Sequence, residues 1–99
     1  MSYQITLSPA AQRDLKKLPP QIRRAVFNQH LSQIAVAPQA AGEPLHGNLK
    51  GLLSYHFGHR PQYRILYSVE KSRMVLVVFV GTRENAYEEA YEQEGRRVR

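Results

Sequence analysis

The sequence predicts an α+β fold in which an antiparallel sheet packs against an N-terminal helical hairpin, in the order β-α-α-β-β-β-α. Two observations carry this. Apolar residues recur at helical spacing between residues 9 and 37, and from Leu53 onward the pattern switches to alternation. Three alternating runs then follow one another across short turns, and strands so linked pair as an antiparallel meander. The chain has 99 residues, enough for one hydrophobic core and too few for two, so residues 1–99 are expected to form a single domain.

Tyr3, Ile5 and Leu7 alternate with Gln4 and Thr6, as in a half-buried first strand. Ser8-Pro9 reads as a helix N-cap followed by proline at the first helical position. Ala11, Leu15 and Leu18 then share one face, with Arg13, Lys16 and Lys17 turned to water. Pro19-Pro20 ends this helix and opens the next. The second helix is expected over residues 20–37, with Phe27, Leu31 and Ile34 as its main stripe and Ile22 and Val26 beside it. Pro38 is its natural stop. So short a joint leaves two helices little choice but a hairpin. His30 falls within the apolar face and reads as a packed core histidine in preference to a ligand.

Residues 39–51, rich in Ala, Gly and Pro, read as a loop. Leu53, Tyr55 and Phe57 then point one way and Ser54 and His56 the other. A turn at residues 58–61 follows. Tyr63, Ile65, Tyr67 and Val69 alternate with Arg64, Leu66 and Ser68. After a turn at residues 70–72, MVLVVFV is apolar on both faces, as a central strand is. Gly81-Thr82 closes it, and residues 84–94 form the expected last helix, carrying Ala86, Tyr87, Ala90 and Tyr91.

Apolar residues make up 42% of the chain, which argues for a folded globule. No run approaches the roughly 20 apolar residues of a membrane span, and MSYQITLSP lacks a signal-peptide pattern. With no cysteine, disulfide and thiolate chemistry are excluded. These features predict a cytoplasmic protein with no membrane partner. The net charge of +6 is unevenly spread: residues 1–83 carry +8 and residues 84–99 carry −2. A basic body of this kind attracts a polyanion or an acidic protein, or serves only solubility.

Two arginines stand out. Arg64 lies inside the second meander strand and Arg83 just past the third, so both guanidiniums are expected to converge on one sheet face with His56. A guanidinium is permanently charged and its fork matches phosphate geometry, which makes nucleic acid the first candidate partner. Each residue also has a plain structural reading. Arg64 could pair with Glu70 or a C-terminal glutamate, Arg83 with Glu88, His56 could be a polar strand residue, and Tyr87 could pack on the sheet. His46, Lys50, His59 and Arg60 sit in loops, either as RNA contacts or as solvated surface. His46, His56 and His59 lack i, i+4 spacing and an accompanying carboxylate cluster, so no metal site is expected. No phosphate-cradling glycine loop is present, and no cofactor is expected.

The segments YQITLSPAAQRDLKKLP, LHGNLKGLLSYHFG, PQYRILYSV and VGTRENAYEEA, in this order and spacing, resemble the RelE/ParE superfamily of bacterial type II toxins. The resemblance covers nearly the whole chain and implies the RelE-like fold. Its RelE-like branch cleaves messenger RNA on the ribosome, and its ParE-like branch inhibits DNA gyrase. By this resemblance Arg64, Arg83 and Tyr87 match catalytic positions, with Tyr91 a second match for the tyrosine. Two lysines frequent in the preceding strand are replaced here by Ser54 and His56. The implied chemistry is metal-free attack of a ribose 2′-OH on the adjacent phosphate. Arg64 and Arg83 would stabilise the phosphorane, His56 would act as general base or acid, and Tyr87 would act as acid or stack a splayed base. The implied partners are an acidic antitoxin, in a heterotetramer or similar assembly, and messenger RNA on the ribosome. The alternatives are a non-enzymatic gyrase inhibitor, or a degenerate member that binds antitoxin or RNA without cleaving.

Overall fold

The computed structural model describes residues 2–82. Strand β1 (Gln4–Leu7) leads into helix α1 (Pro9–Lys17). Ser8 caps that helix as expected, its hydroxyl accepting from the Ala11 N–H at 3.0 Å, with Pro9 inside the first turn. Leu18 turns to extended backbone and closes the helix with an N–H bond to Leu15. Helix α2 (Pro20–Ala25) continues through a π-helical turn (Val26–His30) into α3 (Leu31–Val36).

The π turn overturns one expectation. The Leu31 N–H bonds to the Val26 carbonyl, five residues back, which inserts one residue into the turn. Val26 and Leu31 therefore fall on the same face, and Val26, Leu31 and Ile34 make the buried stripe. Phe27 is rotated outward and left 48% exposed. Pro38 does stop α3, where Ala37 leaves the helical region at φ −149° and ψ 73°, but it also opens a further short helix, α4 (Pro38–Ala41). The segment read as plain loop also holds strand β2 (Glu43–Pro44) and a 3-10 turn (Gly47–Leu49).

Strands β3 (Leu53–Phe57), β4 (Tyr63–Glu70) and β5 (Met74–Thr82) form the predicted antiparallel meander. The five-stranded sheet has the order β1-β5-β4-β3-β2. β5 is an interior strand, flanked by β1 and β4, as its two apolar faces require. The added detail is that β1 runs parallel to β5, pairing Leu7 with Val77, so the sheet is mixed. Past the end of β1 the exposed edge of β5 is closed by α1, where Asp14 Oδ2 accepts from the Val80 N–H at 3.2 Å. The expected last helix lies outside the described residues.

Helices α1 to α3 cover one face of the sheet. Ala11, Leu15, Val26, Leu31 and Ile34 pack there on Tyr55, Phe57, Tyr63, Ile65, Tyr67, Val75, Val77 and Val80. On the opposite face Leu49 and Leu52, brought over by the 3-10 turn, pack on Leu66, Val78 and Phe79. A β-bulge opposite Leu66 and Tyr67 leaves Val78 as the extra residue, so consecutive Val78 and Phe79 both serve this second cluster.

Candidate functional site

The alternation of β3 and β4 decides which side chains meet. Tyr55, Phe57, Tyr63, Ile65 and Tyr67 face the helices, so Ser54, His56, Arg64 and Leu66 face the other way. The register then pairs His56 with Arg64 across the two strands. Arg64 Nη1 donates to His56 Nε2 at 2.8 Å and reaches Ser54 Oγ at 3.4 Å, while Nη2 donates to Gln62 Oε1 at 3.3 Å. A guanidinium has donors only, so Nε2 accepts with its lone pair and the His56 ring is neutral, with its proton on Nδ1.

Ser54, His56 and Gln62 are neutral partners that orient the guanidinium. Arg64 is 8% exposed and Ser54 1%, while His56 and Gln62 are half-buried. Arg64 is therefore a sunken, pre-positioned cation, in place of the open surface arginine the alternation suggested. On its other flank Arg64 pairs with Gly81 of β5. The Phe79 ring lies over that glycine, and a Cβ there would meet it at 2.6 Å, so only glycine leaves room for the ring beside Arg64.

Arg64 and His56 are thus brought together as expected, and Ser54 joins them. Glu70, the structural partner considered for Arg64, sits six residues away at the far end of β4, about 20 Å along an extended strand. Arg83 and Tyr87, with Tyr91, lie outside the described residues. The last described residue, Thr82, pairs with Tyr63, one residue beyond Arg64's neighbour Gly81. His59 and Arg60 are exposed in the β3–β4 turn, at the same end of the sheet as the His56–Arg64 pair. His46 and Lys50 are exposed on either side of the 3-10 turn that covers Leu66. Gln62 is the residue sequence reasoning missed. Its signal was its place two residues before Arg64, on the same side of the alternation.

His30 is a packing residue, as expected. Its ring stacks on Phe57 at 4.1 Å, and its Nδ1 donates to the Tyr55 hydroxyl at 2.8 Å, which donates to Gln33 at 2.7 Å. Burial lowers the pKa of His30 below the ordinary histidine value. Among the described residues no three His, Cys, Asp or Glu side chains converge as metal ligands. No helix among them is long and apolar enough to cross a membrane.

A mixed five-stranded sheet with helices on one face and a sunken arginine–histidine pair on the other defines a small α+β protein with a polar site on its sheet. The family model of the ParE-like toxin of type II bacterial toxin-antitoxin systems matches residues 5–91. The chain belongs to this family, within the RelE/ParE superfamily of type II toxins. It is 33% identical to Toxin RelG of Mycobacterium tuberculosis over 78 residues, which span 79% of this chain and 86% of that one. It is 28% identical to Toxin RelE of the same organism over 86 residues, or 86% of each chain. Among solved structures, the toxin-antitoxin complex RelBE2 of M. tuberculosis matches with a TM-score of 0.75 and 32% identity, covering 84% of this chain and 100% of that one. The intact E. coli RelBE complex matches with a TM-score of 0.64 at 22% identity, over 80% and 94% of the two chains, and shares the fold.

Proposed function

We propose that this type II toxin is a ribosome-dependent messenger RNA endonuclease. The observation that carries the reading is the Arg64 guanidinium held against neutral His56 at 2.8 Å on the face away from the helices. A fixed cation stabilises charge that develops on an attacked phosphate at no reorganisation cost, and an imidazole beside it can move a proton once its Nε2 is released from the guanidinium. Arg83 and Tyr87 complete the proposed catalytic set. Exposed His46, Lys50, His59 and Arg60 are proposed to contact RNA phosphates around it. The 33% identity to a RelG toxin supports the RelE-like branch.

One observation favours the competing reading, a gyrase inhibitor or a binding member without cleavage. Ser54 is 1% exposed and neutral where the family often carries lysine, so one cation of the cleavage site is replaced by a support for Arg64. Primer extension on a translated message after induction separates the two. Breaks within codons in the ribosomal A site, absent in Arg64→Ala, support cleavage. Intact message with stalled replication selects gyrase.

We further propose an acidic antitoxin as the silencing partner. Its support is the +8 charge of residues 1–83 and the match to solved toxin-antitoxin complexes. Co-expression with an adjacent small acidic reading frame should give a neutralised complex, of heterotetrameric or similar stoichiometry by sizing. Free expression of the chain alone, without growth arrest, would sink the toxin activity of this copy.

A further inference from the structure

Arg64 and His56 are in contact before any RNA arrives, and that contact has a direction. Nε2 spends its lone pair on the guanidinium at 2.8 Å. In this state it has neither a lone pair with which to take a proton from a ribose hydroxyl nor a proton to hand to a leaving oxygen. The other contacts of the guanidinium fork, to Ser54 at 3.4 Å and Gln62 at 3.3 Å, are longer. The imidazole thus lies closer to Nη1 than the Ser54 hydroxyl does.

We propose that a phosphodiester oxygen bound by Arg64 displaces His56 from Nη1, so that anion binding and protonation of His56 Nε2 are coupled. This rests on reading the face as a phosphate site and goes beyond it by stating what binding does. An anionic oxygen is a stronger partner for a guanidinium than a neutral nitrogen. Once it takes Nη1, the lone pair of Nε2 is released, the adjacent positive charge is offset, and the anion favours imidazolium. The proton comes from water, and no other bond changes. His56 thereby becomes competent only when substrate is seated, which keeps the site chemically silent toward solvent.

The other described charged groups near this face are few. Glu43 of β2 pairs with Ser54 and shares its side, His59 and Arg60 stand in the β3–β4 turn, and His46 and Lys50 flank the 3-10 turn. Ser54, Gln62 and Gly81 bring no charge.

Nitrogen-15 NMR of the histidines in the full chain tests this, with inorganic sulfate as the probe because it does not titrate near neutral pH. In the free protein His56 should carry its proton on Nδ1. Sulfate should raise its titration midpoint by about one pH unit, and by reciprocity sulfate should bind about tenfold tighter on the acid side of that window. His56→Gln keeps an acceptor for Arg64 and should bind sulfate with pH-independent affinity. Arg64→Gln should abolish the response of His56. A proton on Nε2 in the free protein, absence of sulfate binding, or binding that leaves the His56 midpoint unmoved would each overturn the coupling. These readouts do not depend on cleavage. Linkage without message cleavage sinks the nuclease reading alone, and cleavage without linkage sinks the coupling alone.

Discussion

On the helix-covered face of β3 and β4, each buried polar tip is tied to a different layer: Tyr55 to Gln33 of α3, and Tyr67 to the Pro38 carbonyl at 2.6 Å. On the opposite face, Ser54, His56 and Arg64 bond to one another within the sheet, with Gln62 beside them. The first arrangement staples helices to sheet, and its loss loosens the fold. The second can be dismantled while both layers stay joined. Neighbouring residues such as Arg64 and Ile65 therefore belong to separate economies, one of chemistry and one of stability.

The largest expected effect comes from Arg64→Lys, which keeps the charge but removes the fork that spans His56 and Gln62. Growth arrest and message cleavage should fall on the order of 100-fold, with the circular dichroism unchanged. Wild-type potency in this variant would erase the distinction between the faces. One residue along, Ile65→Ala should lower stability by about 3–4 kcal/mol in urea unfolding, since Ile65 is fully buried between sheet and helices. The folded fraction should keep its specific activity, whereas an equal loss of activity per folded molecule would mean that the faces are coupled.

Tyr67→Phe should be milder, about 1–3 kcal/mol, because it leaves the buried Pro38 carbonyl without its donor. Burial, with a smaller contribution from Tyr55, pushes the Tyr67 hydroxyl up to about 12. The unfolded tyrosine gives up its proton first, so stability should fall as pH rises from about 10 to about 12. Tyr67→Phe should lose that part of the slope, and an unchanged slope would place its origin elsewhere. His30 should give the smallest effect. Its folded pKa is lowered by burial, so its contribution is present above pH 6.5 and is lost as pH falls through the folded value. Unfolding midpoints of His30→Gln should be flatter than wild type on the acid side, and a parallel profile would show that His30 does not titrate in this packing.

Period-two alternation was enough to place His56 and Arg64 on one face, because strand side chains alternate without exception until a bulge intervenes. The order of the meander, the interior place of β5 and the Ser8 cap were legible for similarly local reasons. Phe27 was misplaced because a π turn depends on a single five-residue hydrogen bond that a 3.6-residue pattern does not encode. The sunken position of Arg64 was equally hidden. It depends on where Phe79 sits over Gly81 and on the acceptor that Gln62 supplies from just outside the strand. Parallel pairing of β1 with β5 joins segments that share no local signal.

That pairing has a consequence for how the molecule comes into being. The Ser8 hydroxyl reaches Val78 across a sequence separation of 70 residues, and among the described residues β1 pairs in the sheet with β5 alone. At a synthesis rate of about 5–20 residues per second, the first strand waits roughly 4–14 s for its neighbour to be made. The long loop must also be closed before the contact is rewarded. A ribosome that stalls before Met74 thus leaves a fragment whose first strand lacks its β5 neighbour, and the architecture itself makes translation through β5 a condition of its assembly.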